Sequence, residues 1–185
     1  MKARIIIGIA GPIGAGKSSI ADILISQYGF CYLGFGILVK QILKREGKEI
    51  TRKRLQEKGK QIIKQIGCEG IVDLLLENAD AVTNYIIDGI RHIIEVVNYL
   101  KQLYGQSFRL IFVDAPTKVR FERVRKRMQY EDIVTIEKFR EHENDSMEKN
   151  VALLKKEAFL IVNNTRSREY IEETISEKWG QPQYL

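Results

Sequence analysis

The stretch 9–23, IAGPIGAGKSSIADI, sets Gly11, Gly14 and Gly16 directly ahead of Lys17, Ser18 and Ser19. Gly11, Gly16, Lys17 and Ser18 meet the spacing G-x-x-x-x-G-K-[ST] between an apolar run and a helical one. Residues without Cβ allow successive backbone N–H groups to turn toward one point, and a helix that opens there adds its positive end. The product is a nest for phosphate oxygens, with Gly14, Ala15 and Ser19 completing its wall. Lys17 supplies a cation for the β- and γ-phosphates, and the Ser18 hydroxyl is placed to ligate Mg²⁺. A plain strand-to-helix turn needs one or two turn residues. ATP with magnesium is therefore the expected ligand.

Asp88 ends the apolar run 85–87 on a carboxylate. At a strand tip beside such a loop it can hold or orient magnesium and its waters; a turn or helix cap is the other use of an aspartate there. Asp114 closes a second apolar run, and the Pro116 that follows makes a turn or cap the better reading. The segment 118–128, KVRFERVRKRM, puts Phe121, Val124 and Met128 on one helical face. Arg120, Arg123 and Arg127 form a stripe turned by about 100° from it. Guanidinium forks at the rim of a buried face can meet phosphate oxygens bidentately and stabilise charge on a transferring group. A solvated basic face or a patch for RNA is the bland alternative. Arg91 is a further anion-holding candidate or a surface ion pair. His92 and His142 have no ligand-spaced companion and read as surface or capping residues.

The positioning elements follow from periodicity. The β-branched run 5–9 reads as a strand buried on both faces. Helical spacing over 17–28 ends at Gly29, a short strand spans 30–35, and a helix over 37–46 is capped by Gly47. Thr51 can N-cap a charged helix through 65, with a second amphipathic piece over 71–79. Strands at 85–88, 110–113 and 159–162 alternate with helices at 93–104, 118–128, 136–157 and 167–178. Five strands alternating with helices predict an α/β fold, a parallel sheet with helices on both faces.

The chain has 185 residues, 44% of them hydrophobic, enough for one well-buried domain spanning 1–185. A net charge of +6 suits anionic ligands, phosphorylated small molecules included. Cys31 and Cys68 lack the spacing of a disulfide framework or zinc site. No apolar run reaches membrane-spanning length, so the expectation is a cytoplasmic protein without a membrane partner. Tyr and Phe make no stacking platform, and nucleic acid is not expected as a partner. The sequence leaves the oligomeric state open.

The loop GPIGAGKSS, the strand end IIDGIR, the segment VDAP and the arginine helix FERVRKR, in that order, resemble the nucleoside monophosphate kinases, adenylate kinase and its relatives. Dephospho-CoA kinases share the plan. The resemblance implies the three-layer P-loop NTPase fold with strand order 2-3-1-4-5, a helical acceptor-binding insertion over about 36–79 and a short lid over about 127–135. It further implies that Lys17, Asp88, Arg123 and Arg127 are catalytic, that Ser18 and Asp88 hold the metal, and that Asn164 lies where a loop contacts adenine. Lys40, Arg91 and Arg140 are implied as acceptor- or phosphate-binding.

Two departures bear on the acceptor. Where the family has T-G-D-x-x-R, this chain has Phe35-Gly36-Ile37-Leu38-Val39-Lys40, so the aspartate is absent and a lysine replaces the arginine fork. A hydroxyl acceptor profits from a carboxylate base, whereas a phosphate acceptor is already ionised. With Ile37 in that place, the sequence favours phosphoryl transfer to a nucleoside or deoxynucleoside monophosphate, although Asp88 could serve as a base. The rivals are a hydroxyl kinase of the dephospho-CoA type and a nucleotide-switched ATPase that binds RNA or protein.

Overall fold

The computed structural model describes residues 4–77, 79–90, 93–127, 135–144 and 146–179. Strand β1 (Ile6–Ala10) leads through the glycine loop into α1 (Lys17–Tyr28). Then come β2 (Cys31–Gly34), α2 (Phe35–Arg45), α3 (Arg52–Leu76), β3 (Tyr85–Asp88) and α4 (Ile93–Tyr104). The remainder is β4 (Phe108–Asp114), α5 (Thr117–Lys126), α6 (Ile136–Glu143), α7 (Ser146–Leu153), β5 (Leu160–Asn163) and α8 (Arg168–Trp179). All strand pairs are parallel, in the order β2-β3-β1-β4-β5. This is the order implied by the resemblance.

Every residue of β1 is buried, because helices cover both faces of the sheet. Successive side chains of a strand point to opposite faces, and the core divides accordingly. Ile6 and Ala10 join Ile87, Leu110 and Phe112 beneath α2, α3 and α4. Ile7 and Ile9 join Ile86, Ile111 and Val113 beneath α1 and α8. In α1, Ile20, Ile23 and Leu24 are at most 1% exposed. Burial of each contributes about 1.5–3 kcal/mol, which outweighs the few tenths that a β-branched residue loses in a helix.

A third cluster secures the loop itself. Ile13, at the loop's crest, packs with Phe121 and Val124 of α5 and the fully buried Phe139 of α6. The Phe121 and Phe139 rings lie 5.7 Å apart in a tilted arrangement. Among the described residues no helix is long and apolar enough to cross a membrane.

The helices depart from the sequence reading in one place. The two pieces expected over 51–65 and 71–79 are the two arms of α3, with Thr51 accepting a cap bond from the Arg54 amide and Gly67 breaking the helical path between the arms at φ 74°, ψ −179°. The continuous helix expected over 136–157 is divided into α6, α7 and a 3₁₀ turn, Leu154–Glu157. The division falls at Asn144, whose amide is shared between the carbonyls of Arg140 and Glu141. Asn competes with helical backbone bonds through its own side chain, a local preference that the apolar periodicity concealed.

Candidate active site

Parallel register places Gly34, Asp88 and Ile9 side by side at the carboxyl edge of the sheet, the edge where open α/β sheets bind ligands. A cavity of about 710 Å³ opens there. One half is formed by the glycine loop with Lys17, Ser18, Asp88 and Arg127. The other lies between α2 and α3 and includes Phe35, Ile37, Lys40, Gln56, Gly59 and Lys60. Among the described residues four cationic side chains, Lys17, Lys40, Lys60 and Arg127, line it against one carboxylate, Asp88. That balance suits a polyanion.

Glycine is required in the loop for close approach as much as for torsion. Gly14 and Gly16 adopt φ 76° and 90°, in the left-handed region. A Cβ on Gly16 would stand 2.1 Å from Asn164 Nδ2, and one on Gly14 would stand 2.5 Å from the Arg120 carbonyl oxygen. At Gly11 the obstacle is the Val113 carbonyl, 2.2 Å away. The loop is thus wedged between the end of β4, helix α5 and the turn after β5.

The same neighbours hold its carbonyls. Arg120 Nη1 donates to Ile13 O at 3.3 Å, and Arg123 Nη1 donates to Ala15 O at 3.1 Å and Gly14 O at 3.5 Å. Asn164 Nδ2 donates to Ala15 O at 2.8 Å and Gly16 O at 3.3 Å. Lys17 Nζ donates to Gly11 O at 2.7 Å and Pro12 O at 3.2 Å. In a trans peptide the carbonyl and the following N–H point in opposite directions. Holding the carbonyls of Ile13 and Ala15 on the α5 side therefore turns the amides of Gly14 and Gly16 away from it, and both glycines line the cavity.

The arginine stripe proves to be divided. Arg120 is 6% exposed and donates to Ala115 O and Thr117 Oγ1, with Glu143 of α6 as its ion partner. It buttresses the loop from behind. Arg123 also donates to Asn164 O, at 2.6 Å; burial first, and neighbouring Arg127 second, hold its guanidinium below the usual value. Of the three, Arg127 lines the cavity. Asn164 is buried and spends its amide on the loop carbonyls, so its side chain positions the loop. Ala15 is fully buried behind it, and Ser19 is exposed on α1. Lys40 lines the cavity, whereas exposed Arg140 on α6 is not among the lining residues. Asp114 pairs with Lys155 at 2.7 Å, away from the cavity. Arg91 and residues 128–134, most of the expected lid, lie outside the described residues.

The structure adds residues that sequence reasoning passed over. Tyr32 of β2 donates its hydroxyl to Asp88 Oδ2 at 2.6 Å, while the Gly89 amide donates to Oδ1 at 2.7 Å. Burial, then this bond and the Asp88 charge, push the Tyr32 phenol well above its usual range. Each Asp88 oxygen keeps a second lone pair for a cation or its waters, and the carboxylate shares the cavity with Ser18. The residues thus fit magnesium, held together with phosphate oxygens. Gln56, Gly59, Lys60 and Ile63 of α3 also line the cavity. Their spacing of three, four and seven marks one helix face, a signal present in the sequence.

A glycine-loop cradle at the carboxyl edge of a 2-3-1-4-5 sheet defines the P-loop kinase-like fold. Solved structures share the fold: a shikimate kinase from Bacteroides thetaiotaomicron (TM-score 0.60, 17% identity, 95% of this chain and 96% of that one) and a gluconokinase from Sinorhizobium meliloti (TM-score 0.55, 12% identity, 96% and 93%). The family model of an AAA domain matches residues 7–151, and the chain belongs to that family. It also belongs with the UPF0200 proteins, being 31% identical to one from Pyrobaculum aerophilum over 92% of this chain and 94% of the relative. A UPF0200/UPF0201 protein of Archaeoglobus fulgidus is 28% identical over 95% of this chain, which spans about half (54%) of that relative's length.

Proposed function

We propose that the protein is a magnesium-dependent phosphotransferase that moves the γ-phosphate of ATP to a nucleoside or deoxynucleoside monophosphate, in the manner of adenylate kinase-like enzymes. The carrying observation is a glycine-loop cradle that opens into a cavity in which, among the described lining residues, cations outnumber carboxylates. In this reading Gly11, Gly14, Gly16 and Lys17 hold the donor's phosphates, and Ser18 and Asp88 hold magnesium. Magnesium, when bound, bridges phosphate oxygens and neutralises their charge. Arg127 reaches the transferring group from the loop side, while Lys40 and Arg91 hold the acceptor phosphate. Residues 36–79 form the acceptor region and 127–135 the lid, whose closure excludes water. The partners are nucleotide substrates.

The phosphate acceptor is supported by Ile37, an apolar side chain on the cavity wall at the place where a hydroxyl kinase gains from a base. A second reading, transfer to a hydroxyl, draws on the fold shared with shikimate kinase and gluconokinase and on Asp88 as its base. Labelled ATP offered with nucleoside monophosphates, dephospho-CoA, shikimate and gluconate separates the two. Label in a nucleoside diphosphate is the expected result. Turnover with alcohol acceptors alone rejects it, and ATP hydrolysis stimulated only by RNA points to a switch instead.

A further inference from the structure

Gly59 sits inside α3 where helix propensity argues against it. Glycine in a helix interior is less favourable than alanine by about 1 kcal/mol, a cost usually explained by a crowded neighbour or an unusual torsion. Neither applies. A Cβ at Gly59 would meet only Val39 Cγ2, at 4.0 Å, an ordinary contact. By contrast, a Cβ at Gly70 of the same helix would stand 2.8 Å from Ile66 Cβ. Gly59 lies on the cavity wall, so what its missing side chain leaves open is cavity.

The chemistry of that wall is one-sided. Between α2 and α3 it is lined by Phe35, Ile37, Val39, Leu55, Ile63 and Ile71, with Lys40, Gln56 and Lys60 as its polar side chains. Lysine donates hydrogen bonds and accepts none, so among the described residues Gln56 is the one side-chain amide able to accept there. An acceptor rich in hydroxyls would leave donors unpaired at a cost. An acceptor with a flat apolar body and an anionic group would meet aliphatic and aromatic surface along its faces and a lysine from each helix at its charge.

We infer that Gly59 is a specificity-determining residue, reserving a slot between α2 and α3 for a flat, hydroxyl-poor acceptor body whose anionic group is held by Lys40 and Lys60. This deepens the proposed function and rests on it for the slot's role in phosphoryl transfer. Gly59→Ala should raise Tm by about 2–4 °C while raising KM for the acceptor at least threefold. Gly59→Leu should raise that KM beyond tenfold, with the Kd for a fluorescent ATP analogue within twofold of wild type. A glycine kept for packing would behave oppositely, lowering Tm and moving both substrates together.

Slot and reaction are tested separately with 8-anilinonaphthalene-1-sulfonate, an apolar aromatic anion that needs no turnover. Its fluorescence enhancement should fall at least threefold in Gly59→Leu and in the double variant Lys40→Ala/Lys60→Ala. Undiminished enhancement in both, or an acceptor KM unmoved by Gly59→Leu, overturns the slot and leaves nucleotide phosphorylation standing. If wild-type protein phosphorylates no nucleoside monophosphate yet the probe is lost as described, the slot stands and the proposed reaction fails.

Discussion

At the loop end of the cavity, six successive carbonyls from Gly11 to Gly16 accept hydrogen bonds from four side chains, Lys17, Arg120, Arg123 and Asn164. At the helical end no comparable net exists among the described lining residues; the wall is aliphatic and aromatic surface with a missing side chain at Gly59. Phosphate is the same group in every nucleotide, so its cradle can be rigid backbone whose geometry is prepared before binding. The rest of an acceptor differs from one substrate to the next. A wall of exchangeable side chains can change specificity without disturbing the cradle.

Substitutions can break that division, beginning with the largest effect. Lys17→Met removes the cation from the loop end and should lower phosphoryl transfer by about a hundredfold to a thousandfold or more, with circular dichroism and the sulfonate probe unchanged. Wild-type turnover in this variant contradicts the assignment of the loop.

Asn164→Ala leaves the Ala15 and Gly16 carbonyls with fewer donors in a buried place, a cost of about 1–3 kcal/mol. Tm should fall by about 3–8 °C and the Kd for ATP should rise, while probe binding at the helical end stays as in wild type. If both ends weaken together, the cavity is one cooperative unit and the contrast drawn above is wrong.

The smallest effect concerns the Tyr32–Asp88 bond at the sheet edge between the two ends. Tyr32 holds Asp88, and its phenol should ionise above its usual value near 10 in an absorbance titration. In Asp88→Asn it should ionise earlier without returning to the usual value, since burial, the larger cause, remains. A folded-state value raised above the unfolded one stabilises fully at pH below the unfolded value. That contribution is lost as pH climbs past it. Titration of Tyr32 at the usual value near 10 would show that the bond to Asp88 does not form in solution.

The loop was legible because its chemistry is written in consecutive residues, and the strands because burial on both faces leaves unbroken apolar runs such as 5–9. Strand ends on carboxylates at Asp88 and Asp114 were equally visible, and Pro116 already marked Asp114 as the structural one, but its ion partner was not legible. Asp88 faces the cavity while Asp114 takes Lys155 as an ion partner. Sequence spacing placed Arg120, Arg123 and Arg127 on one stripe. Packing of α6 against α5 then turned Arg120 into a buried brace with Glu143.

The sequence by itself determined that a phosphate-binding turn joins a buried strand to a helix, since glycine, lysine and serine at fixed spacing act through local backbone geometry. Only the tertiary structure decided which distant side chains complete the site. Asn164 lies 148 residues from Gly16, to whose carbonyl it donates, and Tyr32 lies 56 residues from Asp88. Such contacts depend on strand register and helix packing, which sum weak interactions over the whole sheet.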